Sequence, residues 1–261
     1  MALKRNFFVV YMALAIALSL SSCKREEDDK VWQVSPFSKI ITSGNVHVAL
    51  RQKAEQSIVS LAGSKGLEMY VQDSVLYIKT PADNSGNADV NISVASIAAI
   101  TYLQHSVVSI PAGFVLEGRL QIDGRNEALL EVGGVFTVYT LSMDLRDTAA
   151  VNIENLAADK LYVIAKNHNE CNISGTATRA QINLFNTSLY NLAGENLPEP
   201  INGPLRALEY FMELRGQSQA WVYATHLLSV DAYDACAVYY KGSADVTVYN
   251  LYESASLVGK E

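Results

Sequence analysis

Carboxylates and cations recur in this chain two residues apart. Asp123 is followed by Arg125, Asp144 by Arg146 and Glu213 by Arg215; Asn183 and Asp231 hold the acid's place elsewhere, and Lys166 the base's. Two chemistries suit such spacing. An acid and a base presented together can abstract and return a proton, the work of a polysaccharide lyase or hydrolase. Opposite charges repeated along one face can equally form an ion-pair ladder that keeps the surface solvated, each exposed pair contributing ~0–1 kcal/mol. Here the basic column neutralises the carboxylates evenly, whereas catalysis needs charge concentrated at one place and carboxyl pKa values displaced. The ladder is therefore the preferred reading and the polysaccharide-processing enzyme the alternative.

A second series is neutral. Asn152, Asn172 and Asn191 recur at near-constant spacing and are followed in the same place by Trp221 and Tyr239. The asparagines can bond to one another from repeat to repeat. Trp221, Tyr223 and Tyr239 are expected to form a flat platform suited to a glycan ring or a protein ligand, unless they only cover the end of the core. No cofactor or metal is expected. His47, His105, His168 and His226 occupy unrelated positions without ligand spacing, and no Ser-His-Asp order, nucleophile elbow or glycine-rich phosphate loop can be made out. Cys171 and Cys236 should stand about three repeats, or ~14 Å, apart. A disulfide spans only ~7 Å, so both read as small buried apolar residues.

What must position these residues is a repeat. Residues 141–155 and 161–175 carry the same pattern, and the frame extends to starts at Ile100, Leu120, Leu141, Leu161, Ala180, Tyr210, Leu228 and Val246, in steps of 20, 21, 20, 19, 30, 18 and 18 residues. Counting each start as position zero, positions zero, two, ten and twelve are apolar and alternate with polar residues, the period of a strand with one buried face. Position six reads Ser106, Asn126, Asp147, Asn167, Asn186, Gly216, Asp234 and Tyr252, mostly residues that tolerate a left-handed bend; Asn155, Gly175, Gly194 and Gly242 mark a second bend at position fourteen. Two corners and a variable return segment make a turn of three short sides, stacked in parallel about 4.8 Å apart. Such spacing is the signature of a solenoid, in which no repeat buries its own core. The predicted fold is all-β: a right-handed parallel β-helix of about eight coils over residues 99–261, its hand set by the preference of parallel crossovers.

The amino-terminal segment carries an address. Lys4 and Arg5 precede an apolar run over residues 7–20, which ends in Leu20-Ser21-Ser22-Cys23. A charged start, a short apolar stretch and small residues before the cut describe a secretory signal over residues 1–22, too short for a lasting membrane span. The Leu-Ser-Ser-Cys ending resembles a bacterial lipobox, which implies cleavage before Cys23, diacylglyceryl modification of its thiol and a membrane partner through that lipid. Removing residues 1–22 leaves 18 basic against 27 acidic residues, a net charge of −9, which disfavours nucleic acid as a partner. Residues 23–35 read as a charged tether whose acidic run resembles the surface-export signal of Bacteroidetes lipoproteins.

Residues 36–98 are expected to form an N-terminal β cap from short alternating segments at 40–42, 46–50, 57–61, 67–71, 75–79 and 90–94, since an uncapped coil exposes strand edges. Phe37, Ile40, Gly44, the alternating Val46, Val48 and Leu50, and later Leu76 and Ile78 resemble the opening of the family described as "Putative auto-transporter adhesin, head GIN domain"; residues 235–248 resemble its closing repeats. The chain carries Gly44-Asn45-Val46 where that family's signature reads Gly-Ile-Asn. The resemblance implies a β-helical, lipid-anchored protein of the cell envelope, an outer-membrane lipoprotein that is adhesin-like or structural and not an enzyme. Residues 195–206, with Pro198, Pro200 and Pro204, read as an insertion adjoining Trp221 and Tyr223, and insertions in solenoids often emerge on a binding face.

Overall fold

The computed structural model describes residues 29–61, 64, 66–81, 86–111, 113–191 and 203–259. The expected signal segment, Cys23, most of the tether and residues 195–202 of the insertion lie outside the described residues. Described in order, the first strands are β1 (Lys30–Val31), β2 (Lys39–Ser43), β3 (Val46–Gln52), β4 (Ser57–Ser60), β5 (Glu68–Gln72), β6 (Val75–Lys79) and β7 (Ala88–Val94). Then come β8 (Ala99–Leu103), β9 (Val107–Ile110), β10 (Phe114–Arg125), β11 (Leu129–Asp147), β12 (Ala150–Asn167), β13 (Glu170–Asn186) and β14 (Leu189–Tyr190). The chain finishes with β15 (Arg206–Leu214), β16 (Gln219–Ala232), β17 (Ala237–Lys241), β18 (Asp245–Leu251) and β19 (Ser256–Gly259). No helix occurs among the described residues.

The strands form a parallel β-solenoid. Seven of the repeat starts fall into direct register, Leu120 against Leu141, Leu161, Ala180, Tyr210, Leu228 and finally Val246. Their alternation gives every strand one face toward the interior: Leu141, Met143 and Leu145 are buried while Ser142, Asp144 and Arg146 face outward. The corner at position six is left-handed at Asn126, Asp147, Asn167, Asn186, Gly216 and Asp234, with φ between 56° and 83°. The second corner demands glycine at two places, because a Cβ on Gly175 would collide with the backbone of Leu156 and one on Gly242 with that of Ala224. The return segment is itself a strand side. Phe114, Phe136 and Leu156 stack there in register, and two residues further along a second column runs through Val138, Ala177, Ala207 and Ala224; all of these are buried.

Two local corrections follow from register. Ile100 pairs with Ile122, not Leu120, so the first repeat frame lies two residues out. The reason is a size exchange: Tyr102 stands opposite Gly124, where a Cβ would land on its ring, and the left-handed corner moves to Gln104. At the other end the register slips after Val248, Asp231 pairs with Asn250, and the corner falls on Glu253 rather than Tyr252.

Residues 36–98 supply rungs of the same sheet as well as antiparallel strands. On the first side β2 lies between β6 and β8, and on the second β3 lies between β7 and β9, all in parallel. The chain therefore enters one rung in, passes out to the end rung and returns. Beyond that end rung β5 runs antiparallel to β6, β4 to β7 and β1 to β4. Asp73 and Ser74, with φ of 52° and 60°, make the two-residue hairpin between β5 and β6.

Candidate functional site

The first side carries the charged ladder. Arg125 donates to both carboxylate oxygens of Asp123 at 2.8 Å, and Arg146 to those of Asp144 at 3.1 and 2.8 Å. Arg215 reaches Glu213 at 2.8 Å, and the Tyr233 hydroxyl donates to Asp231 at 3.2 Å. Aromatic faces hold further cations across the rungs: the Arg215 guanidinium lies 4.8 Å from the Tyr233 ring centre and the Lys166 ammonium 5.6 Å from that of Phe185. Ile164 interrupts the acidic column and is 37% exposed. The hydrogen bond from Arg146, opposed by partial burial, holds the Asp144 carboxyl below the ordinary carboxylate range, and the same bond raises the Arg146 guanidinium. A general acid near neutral pH needs its carboxyl displaced upward. Asp144 is displaced the other way.

The second side presents a groove of about 550 Å³ in which polar side chains are set among an apolar lining that includes Ile110, Val132, Ile153 and Ile173. Ser109, Glu131, Asn152 and Asn172 line it in one registered column, with Glu154 and Ser174 alongside. Of the asparagine ladder one link forms, Asn172 donating to Asn152 at 3.1 Å. Asn191 leaves the series: its φ is 56°, it is buried, and its Oδ1 accepts the Ile173 N–H at 2.6 Å.

The aromatic residues are brought together differently from an open platform. Trp221 registers with Tyr239 and stacks on it at 5.9 Å, but Trp221 is only 5% exposed. Tyr223 lies two residues further along the strand, with the Arg206 guanidinium 4.8 Å from its ring centre. A large indole in this column is drawn into the packed wall of the solenoid, which leaves Tyr239 and Tyr223 as the half-buried members of the group. Cys171 and Cys236 are both buried free thiols. Burial pushes each thiol upward, away from the thiolate form that reacts.

One constellation escaped the sequence. His47 Nδ1 lies 3.1 Å from Asp89 Oδ1, and His47 Nε2 lies 3.2 Å from Ser109 Oγ. Asp89, His47 and Ser109 come from β7, β3 and β9 respectively, neighbouring rungs whose order in space differs from their order in the chain. The connectivity is that of a hydrolytic triad, but the surroundings are not. Ser109 sits within the sheet, registered with Ala49 on one side and Glu131 on the other, so nearby backbone N–H groups belong to the ladder. An oxyanion would meet the Glu131 carboxylate where it needs donors. His47 and Asp89 are also 44% and 47% exposed. The group acts as a side-chain bridge across three rungs.

The family described as "Putative auto-transporter adhesin, head GIN domain" matches residues 36–244. The chain belongs to this family. Among solved structures, one described as a "putative lipid binding protein" from Parabacteroides distasonis superposes with a TM-score of 0.78 at 14% identity, covering 91% of this chain and 98% of that one. A "putative adhesin" from Parabacteroides merdae gives 0.78 at 15% identity over the same shares, and a second from Parabacteroides distasonis gives 0.74 at 17% over 89% and 96%. At such identities the likeness establishes the shared solenoid. No curated protein matches the chain. The adhesin-type family accords with a place at the cell surface or in the envelope and with a binding role.

Proposed function

We propose that this chain is a lipid-anchored outer-membrane protein, held through Cys23 and displaying its solenoid as an adhesin-like binding surface without catalysis. The observation that carries the reading is the family match over residues 36–244, joined to a groove of mixed polar and apolar lining that crosses several rungs of the wall. The groove's amides, hydroxyls and carboxylates suit the hydroxyl groups of a glycan or the polar backbone of a protein ligand. Its two carboxylates, and the net charge of −9 counted after residue 22, speak against nucleic acid and other polyanions. Against catalysis stand the even pairing of the first-side carboxylates and the downward displacement of Asp144.

The test is protease accessibility on intact cells, with Cys23→Ala as the unanchored control. Digestion of the native chain without lysis, and loss of the Cys23→Ala chain from the membrane fraction, are expected. Protection until the cells are broken would overturn surface display. An unchanged membrane fraction for Cys23→Ala would overturn the anchor.

A further inference from the structure

The outward column of the second side has a regular step. Ser109, Glu131, Asn152 and Asn172 stand in direct register on β9, β11, β12 and β13, so their side chains recur about every 4.8 Å along the axis of the solenoid. Three such steps make a straight polar rail about 14 Å long. Ile110, Val132, Ile153 and Ile173 add apolar lining beside it. The rail is fixed before any ligand arrives. Ser109 Oγ lies 3.2 Å from His47 Nε2, and the Asn172 amide donates to Asn152 Oδ1 and to Glu170 Oε1, each at 3.1 Å. Groups already held in place lose little freedom on binding.

This arrangement separates the ligand classes. A peptide that adds as a strand needs an open edge, and the groove has none: β9 lies between β3 and β11, β11 between β9 and β12, β12 between β11 and β13, and β13 between β12 and β14. Past the end of β14, Asn191 Oδ1 takes up the Ile173 N–H. An extended peptide laid along the rail presents same-face groups only about every 6.6 Å, out of step with the column. A glycan of β-linked pyranose rings in extended form advances by close to one rung per ring and stays in step. Its rings also match the lining, with hydroxyl groups at the edge for the rail and C–H faces for the isoleucines and the valine. Glu131 and Glu154 are exposed in the groove; they accept from neutral hydroxyls and repel uronic or sialic acids.

We propose that the groove takes a linear, uncharged, β-linked glycan threaded parallel to the solenoid axis, one ring to each rung. The proposal rests on the binding-surface reading above and narrows its ligand to one class. Beyond Ser109 the column continues with the short Ala49, and beyond Asn172 with the buried Asn191. Four side chains therefore define four ring positions, and affinity grows with glycan length to the fourth ring and no further.

The experiment is isothermal titration calorimetry on the chain from residue 24, which contains every described strand. The probes are oligomers of β-linked glucose and of β-linked N-acetylglucosamine, two to six rings long. One of the two series should bind, with affinity rising at each ring up to the tetramer and level from the pentamer on. A tetramer of α-linked glucose, which curls away from a straight rail, and a β-linked tetramer containing glucuronate should each bind about tenfold more weakly. Asn152→Ala, at the centre of the rail, should weaken the native tetramer by a similar factor, whereas Asn183→Ala, on the first side, should leave it unchanged. Glu131→Lys should shift the preference toward the glucuronate tetramer. Circular dichroism reports whether each variant keeps the native strand signal. Affinity independent of length, equal binding of the α-linked tetramer, or no binding in either series overturns the proposal; so does a folded Asn152→Ala chain with native affinity. An acetylated alanine tetrapeptide that binds as tightly as the sugars overturns it in favour of a protein ligand and leaves the binding-surface reading standing. Failure of surface display or of the anchor would appear only in the cell-protease assay and leave these affinities unchanged.

Discussion

Asp144 shows what a single residue of the ladder contributes. The hydrogen bond from Arg146 lowers its carboxyl in the folded chain. A lowered folded value stabilises at pH above the unfolded carboxylate value near about 3.9, and the contribution is lost as pH falls through the folded value. Asp144→Asn should therefore lower the melting temperature slightly at about pH 7, in keeping with the ~0–1 kcal/mol of an exposed pair. As pH falls below the ordinary carboxylate value the gap between variant and native chain should narrow, closing once pH is below the lowered folded value. Scanning calorimetry from neutral pH into acid checks it, and a gap that does not narrow would refute the attribution. The pairing itself was legible in the sequence, since alternation puts residues two apart on one face. Tyr102 and Gly124 were not legible as partners. Each reads as an ordinary member of its own repeat, and only the two-residue offset of β8 against β10 sets the ring over the missing side chain.

At the scale of elements, the corner after the first side joins the rungs as firmly as the strands do. Asn167 holds φ at 83° while its amide donates to Asp147 at 3.1 Å, and Asn186 donates in turn to Asn167 at 2.8 Å. The amide ladder expected along the second side thus has its longer run here. Asn167→Val forces a β-branched residue into the left-handed region, costing about 1–2 kcal/mol, and removes both bonds. Asn167→Gly keeps the backbone conformation and loses only the bonds. Urea denaturation should rank the native chain above Asn167→Gly and Asn167→Val last; equal losses would show that backbone conformation is not what the asparagine supplies. The corner was readable because small amide and carboxylate side chains recur at one position. Its shift to Gln104 and Glu253 was not, because register alone moves it.

Taken whole, the molecule is a column of stacked rungs covered at its amino-terminal end by the antiparallel strands β5, β4 and β1. The bridge of Asp89, His47 and Ser109 also belongs to this scale: it ties three rungs whose sequence neighbours lie far apart.

The sequence by itself determined the solenoid. Period-two alternation, bends at fixed positions and a repeat near twenty residues admit one economical packing, and the six short strands of residues 36–98 could be read from their flanking turns. Tertiary structure alone decided which rung lies beside which. Strand pairing is a relation between distant segments, and the inward path of β2 and β3 leaves no local mark. It alone placed Trp221 inside the wall. Burial depends on what covers a residue, and a residue's own pattern does not carry that information.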